Sequence, residues 1–303
     1  MKDELAGIGE FLAVAEKRSF TAAAAELRVT PSAVSQNVRA LEERVGVRLL
    51  QRTTRSVGLT EAGTRFLERM KPAMRAVGEA FDSLDEVRGR PAGRLRLNVP
   101  RVAFRAVIEP VLARFMETYP ELEVEIVLDD RFVDIVKDGF DAGIRIGEML
   151  GQEMIAVPIS GPLRMAIVGS PSYFAKRGKP KHPRDLLAHD CITFRRMSAG
   201  DIGDWEFEER GRPLTIAPRG RVVTNDSDAM LQAAMAGLGL AYTFDDEAEE
   251  MIADGRLVRV LDKYCTPFPG YFLYYPSRAH VPAKLTVLVE TLRKPPRRSV
   301  RKV

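Results

Sequence analysis

Thr30-Pro31-Ser32-Ala33-Val34-Ser35-Gln36-Asn37-Val38-Arg39-Ala40-Leu41-Glu42-Glu43-Arg44-Val45 is the stretch whose reading decides the fold of the first sixty residues. Thr30 is a good N-cap, and Pro31 suits the first helical position, where its missing N–H costs nothing. Val34, Val38, Leu41 and Val45 recur at steps of three and four and predict one apolar face. Ser32, Ser35, Gln36 and Arg39 recur in the same way on another face, and all four can donate hydrogen bonds to phosphates or base edges. With Thr30 and Ala33 at the start of the helix, this is a candidate nucleic-acid interface. The same stripe also describes the solvated face of an ordinary amphipathic helix, and the pattern alone leaves both readings open.

Upstream, Ile8, Phe11, Leu12 and Ala15 predict a helix from about Lys2 to Lys17. Thr21 is the expected cap of a short helix over 22–27, and Arg28-Val29 makes a tight turn into Thr30. Helix, turn and capped helix with a small polar leading face is the layout of a helix-turn-helix. Downstream, the run from Leu49 to Leu59 sets two short apolar pieces around a basic, hydroxyl-rich turn. It predicts a β-hairpin wing whose Arg52, Thr53 and Arg55 grip phosphates. Residues 1–59 are thus expected to form a winged helix-turn-helix. Thr60 caps a helix of residues 60–88, where Phe66, Met70, Val77 and Leu84 lie on a coiled-coil-like seam interrupted by Pro72. Burial of that seam against a second copy is the expected use of the helix.

After Arg88-Gly89-Arg90-Pro91-Ala92-Gly93 the pattern changes to alternating strands and helices, which implies an open, mostly parallel sheet. Ligands in such sheets bind beyond the carboxyl ends of strands. The candidate effector residues there are Arg101, Val102, Ala103, Arg145, Gly147, Phe194, Arg195, Asn225, Asp226 and Phe244, together with Trp205. Arg101, Arg145 and Arg195 suggest a carboxylate partner, and Phe194, Trp205 and Phe244 an apolar or aromatic body, hence a small organic anion. The alternative, in which Arg145 pairs with Asp141 or Glu148 and Arg195 is exposed, has equal weight.

Composition bounds these readings. The chain has 303 residues, 45% hydrophobic and 29% charged, enough for two or three cores. No apolar run approaches the ~18 residues of a membrane span. The acidic Met1-Lys2-Asp3-Glu4 opening does not suggest a signal peptide, so a cytoplasmic protein is expected. The net charge of +4 rests on Arg293, Lys294, Arg297, Arg298, Arg301 and Lys302; without them the balance is −2. Cys191 and Cys265 are expected to be reduced thiols. No Cys/His spacing suits a metal, no cofactor is expected, and no Gly-x-Ser-x-Gly elbow or Walker A loop suggests an enzyme. Gly237-Leu238-Gly239 follows a helix and precedes a strand, which marks a helix C-cap rather than a dinucleotide loop.

The residues also resemble a family. Phe11-Leu12-Ala13-Val14-Ala15, Ser19-Phe20-Thr21-Ala22-Ala23-Ala24, Thr30-Pro31-Ser32-Ala33-Val34-Ser35, Arg52-Thr53-Thr54-Arg55 and Leu59-Thr60-Glu61-Ala62-Gly63 are similar to the opening of the LysR-type transcriptional regulators. Phe140-Asp141-Ala142-Gly143-Ile144-Arg145-Ile146-Gly147 and Ala236-Gly237-Leu238-Gly239-Leu240 resemble the effector domain of that family. Arg131-Phe132-Val133-Asp134 and Tyr275-Pro276-Ser277-Arg278 resemble the subgroup that includes the meningococcal regulator CrgA. The resemblance implies an effector domain over 89–303 like the type 2 periplasmic binding proteins. Its two α/β lobes would be 94–160 with 271–293, and 161–270, followed by a basic tail over 294–303. It further implies a homodimer or homotetramer on double-stranded promoter DNA, a small-molecule effector between the lobes, and room for a contact with RNA polymerase. Two departures are Arg28 in the turn and Arg101-Val102-Ala103, where relatives often carry a serine or threonine.

Overall fold

The computed structural model describes residues 5–52, 57–87, 91–147, 154–276 and 281–293. Two compact units divide after Val87. In the first, α1 (Ile8–Lys17), α2 (Phe20–Leu27) and α3 (Pro31–Val45) precede a hairpin of β1 (Leu50–Arg52) and β2 (Val57–Leu59), then α4 (Glu61–Val87). Ser19, not Thr21, caps α2. Its extended backbone lets its hydroxyl accept from the Ala22 N–H at 3.3 Å, and the helix begins at Phe20. Thr30 caps α3 by accepting from the Ala33 N–H at 3.2 Å.

Val34, Val38 and Leu41 are at most 1% exposed, packed with Phe11, Val14 and Leu49. Val45, expected on the same stripe, is 39% exposed, because α3 runs past the core there. The Glu42 carboxylate accepts from the N–H groups of Leu49 and Leu50 at 2.8 and 2.9 Å, which ties the wing strand to α3. Thr60 accepts from the Gly63 N–H at 2.9 Å and donates to the Arg48 carbonyl at 2.7 Å. Gly63 is required by the resulting close approach: a Cβ there would lie 1.9 Å from the Leu49 oxygen.

The seam expected on α4 is divided. Phe66 and Met70 pack, with Leu67 and Met74, onto the core of the winged unit, and the Phe66 ring meets Phe11 edge-on at 5.5 Å. Part of each side chain is thus spent on the unit's own core, and what is left for a second long helix is half-buried. Val77, one turn beyond Met74, is 40% exposed. Leu84 lies within α4, with its side chain outside the described residues.

The second unit is built on two five-stranded sheets. The chain forms β3 (Gly93–Val99), α5 (Arg101–Ala103), a π-helical turn (Phe104–Ile108), α6 (Glu109–Thr118), β4 (Leu122–Leu128), α7 (Ile135–Asp138), β5 (Ala142–Ile146) and β6 (Met154–Pro158). The helical stretch between β3 and β4 is interrupted by the π-helical turn because Pro110 has no N–H to give the preceding turn. The chain then crosses to β7 (Met165–Gly169), α8 (Pro171–Arg177), β8 (Cys191–Phe194), β9 (Trp205–Glu209), β10 (Arg212–Ile216), β11 (Val222–Thr224), α9 (Ser227–Met235), β12 (Leu240–Phe244), α10 (Asp245–Ala253) and β13 (Val258–Val260). It returns through β14 (Tyr271–Pro276) and ends in α11 (Ala283–Arg293).

The sheet orders are β4-β3-β5-β14-β6 and β11-β8-β12-β7-β13, with β9 and β10 a separate hairpin. Each sheet is mixed, not mostly parallel. The strands next to the two crossings, β6 and β14 in one sheet and β7 and β13 in the other, pair antiparallel. The crossings are themselves joined by reciprocal backbone bonds of 2.9 Å between Leu163 and Phe268. After α9, Gly237 at φ +77° and a Leu238 N–H to Ala233 carbonyl bond close the helix, as the Gly-Leu-Gly spacing suggests.

Because Phe66 packs on the winged unit's own core, Phe66→Ala should destabilise that unit by about 2 kcal/mol, less than the 3–5 typical of a fully buried Phe. Denaturant unfolding at several protein concentrations checks this. A loss that vanishes on dilution would return Phe66 to an intermolecular role.

Candidate nucleic-acid interface and candidate ligand cleft

On α3 the apolar edge is buried, and another edge is pinned to the first helix region. Asn37 donates to Glu10 at 2.6 Å and Arg44 to the Ala6 carbonyl at 2.6 Å. What remains outward is the polar stripe: Thr30, Ser32, Gln36 and Arg39 are exposed, and Ser35 and Ala33 are half-buried. Ser32 lies in the first turn, where helix N–H groups also favour an anion. Arg52 ends β1, and Thr53 and Arg55 lie outside the described residues.

In the second unit a cleft of 350 Å³ opens between the two sheets. From one side it is lined by Arg101, Val102, Asp130 and Arg145. From the other it is lined by Phe194, Trp205, Asn225, Asp226, Tyr242, Phe244 and Glu247. Three of the expected residues are elsewhere. Ala103 is fully buried in the core of the first sheet. Gly147 is covered by Phe272, whose ring a Cβ would meet at 2.5 Å. Arg195 is exposed and donates to the Gly200 carbonyl at 2.8 Å; its neighbour Arg196 lines the cleft instead.

The expected arginine trio therefore does not form, and the arginines that do line the cleft have partners. Arg101 pairs with Asp130 at 3.4 Å, and Arg196 with Asp201 at 2.5 Å. Arg145, 4% exposed, donates to the Ile144 carbonyl, the Asn98 amide oxygen and the Arg131 carbonyl, each at 2.6 Å. Its Nε finds no partner among the described residues, and burial lowers its affinity for its proton. Asp141 pairs with Lys284 at 3.4 Å rather than with Arg145, and Glu148 lies outside the described residues.

Glu247 was not foreseen. Its carboxylate accepts from Ser227 at 2.8 Å and Thr243 at 2.9 Å. Burial, reinforced by Asp246, raises its pKa above the ordinary carboxylate value, against the two hydroxyls and the field of Arg105. Arg105 itself is bidentate on Asp228. Trp205 stacks on Tyr242 at 5.3 Å. Cys191 and Cys265 are buried, and burial pushes their thiols up to about 12 and about 11, so neither is a thiolate near neutrality. The described histidines are half-buried: His182 bonds Glu209 at 3.0 Å and His189 bonds Tyr173 at 3.1 Å. Asp129 is the ion-pair partner of Arg131, and Asp134 caps α7.

Comparison with known proteins gives these sites a family. Residues 8–64 match the bacterial regulatory helix-turn-helix protein, lysR family, and residues 88–295 match the LysR substrate binding domain. The chain is 39% identical over 290 residues to the HTH-type transcriptional regulator YcaN of Escherichia coli, covering 96% of this chain and 95% of YcaN. It is 38% identical over 292 residues to the HTH-type transcriptional regulator PgrR of the same organism, covering 96% and 98%. CrgA, a LysR-type transcriptional regulator from Neisseria meningitidis, has a similar structure: TM-score 0.58, 27% identity, 95% of this chain and 97% of that one. Full-length AphB, a virulence activator of Vibrio cholerae, shares the fold at a TM-score of 0.65 and 24% identity, with coverage of 94% and 97%. The chain belongs to the LysR family of transcriptional regulators.

The raised pKa of Glu247 has a measurable sign. A carboxyl more basic in the folded than in the unfolded chain favours folding at low pH and costs stability as pH rises through its folded value. Glu247→Gln removes that cost, so its melting temperature relative to wild type should climb as the pH is raised from about 4 to about 8. Parallel thermal unfolding over that range tests it; a difference that stays flat or falls contradicts the burial argument.

Proposed function

We propose that the chain binds double-stranded promoter DNA through the exposed stripe of α3 and is controlled by a small molecule held between the two sheets of its second unit. The observation that carries the first half is the separation of faces on α3. Val34, Val38 and Leu41 are inside, while Ser32, Gln36 and Arg39 face solvent with their donors. Gln36 suits adenine, and Arg39 guanine or a phosphate. Arg52, Thr53 and Arg55 of the wing grip the backbone beside the groove. The exposed Val77 region and Leu84 carry self-association into a homodimer or homotetramer, so that two half-sites are read together. Contact with RNA polymerase is a further role of the bound complex, and the cytoplasm is its place of work. The names of the relatives support a regulator rather than an enzyme.

Binding of an effector shifts regulation only if its affinity differs between arrangements of the lobes. A cleft lined from both sheets meets that requirement, because one ligand touches both.

Gln36→Ala should weaken binding to a footprinted site by about 1–3 kcal/mol and relax its sequence preference. Arg52→Ala should leave preference intact and lower the salt slope by about one. Anisotropy titrations across a salt series separate the two. Unchanged selectivity in Gln36→Ala would remove α3 as the reader.

A further inference from the structure

The cleft puts aromatic rings beside an acid, and its cations are already engaged. Arg101, Arg145 and Arg196 line it with Asp130, Asp204, Asp226 and Glu247, so the acids outnumber the arginines. A carboxylate ligand would have to draw Arg101 from Asp130 or Arg196 from Asp201, or settle for what Arg145 retains beyond its three internal bonds. Glu247 is in the opposite condition. Its partners are the two hydroxyls of Ser227 and Thr243, one to each oxygen, and each oxygen keeps a lone pair. Among the described residues no arginine or lysine is ion-paired to it, and Arg105 is held by Asp228. A partly buried carboxylate without a cation is costly, and an ammonium donating to it relieves that cost. The rings of Phe194, Trp205 and Phe244 suit the rest of such a molecule, and their faces attract positive charge.

We propose that the cleft takes an organic cation, a protonated amine held by the Glu247 carboxylate with its apolar body against Phe194, Trp205 and Phe244. This rests on the reading of the cleft as the effector site, and it replaces the organic anion suggested by the arginines in the sequence.

Trp205 is the single tryptophan of the chain, so its fluorescence reports occupancy of the cleft. The full-length protein is titrated with phenethylamine, 3-phenylpropionate and 2-phenylethanol, which share a phenylethyl body and differ in charge. Fluorescence and calorimetry are read together, for wild type and Glu247→Gln. Phenethylamine should bind tightest, perturb Trp205 and lose about tenfold or more in affinity in Glu247→Gln. The melting temperature of that variant should be no lower than that of wild type. If Glu247→Gln does not fold, Glu247→Asp, which draws the charge back by one methylene, must weaken the amine several-fold. Tighter binding of 3-phenylpropionate with a Trp205 response overturns the cation and leaves the cleft reading standing. Calorimetric binding of any probe without a Trp205 response overturns both. Equal binding of the amine to wild type and variant, or no binding by any of the three, also overturns the cation.

Discussion

Burial of one edge of α3 is the constraint on which the DNA-reading unit depends. Val34, Val38 and Leu41 each remove an aliphatic side chain from water, worth roughly 1.5–3 kcal/mol apiece. That commits the rotation of the helix about its own axis. Once it is committed, Ser32, Gln36 and Arg39 have only solvent to face. The same helix sets the wing, since Glu42 near its end holds the first wing strand through two backbone N–H groups. The reader helix and the first wing strand are therefore tied to each other, and the first half of α4 packs on the same core through Phe66 and Met70.

The second unit follows a different logic. Its two sheets each have their own core, and the chain passes between them twice, at the Leu163–Phe268 pairing. Across the cleft the lobes are joined by the exposed Arg105–Asp228 pair and a Phe132 N–H to Ser198 bond of 2.6 Å. Exposed pairs of this kind contribute about 0–1 kcal/mol. A ligand touching both lobes can outweigh them, and that makes the spacing of the lobes a quantity that binding can change.

The sequence was most legible where short-range chemistry decides. Thr30-Pro31 marked the start of α3, Thr60 that of α4, and the Gly-Leu-Gly turn the end of α9. It was less legible where long-range packing decides. Phe66 and Val77 share one periodic stripe, yet the core ends between them, which no periodicity reveals. The β9–β10 hairpin was passed over because its strands carry glutamates and a proline; the Arg210-Gly211 turn, with φ of +55° and +76°, was the signal for it. Glu247 sits in the acidic run Asp245-Asp246-Glu247-Ala248-Glu249-Glu250, which reads as a solvated helix face. Only the packing of α10 against β12 and β7 turns Glu247 inward beside the fully buried Ala248. Arg195 and Arg196 show the same limit: adjacent in the chain, one reaches the cleft and the other does not.

The account stands on α3 reading base sequence, and selection from random DNA tests that most directly. Full-length protein is incubated with a pool of duplexes carrying a randomised central segment, and the bound fraction is amplified and sequenced over several rounds. The account predicts convergence on one motif with two related half-sites about one helical turn apart. Retention that depends only on duplex length and salt, with no motif enriched, would contradict it.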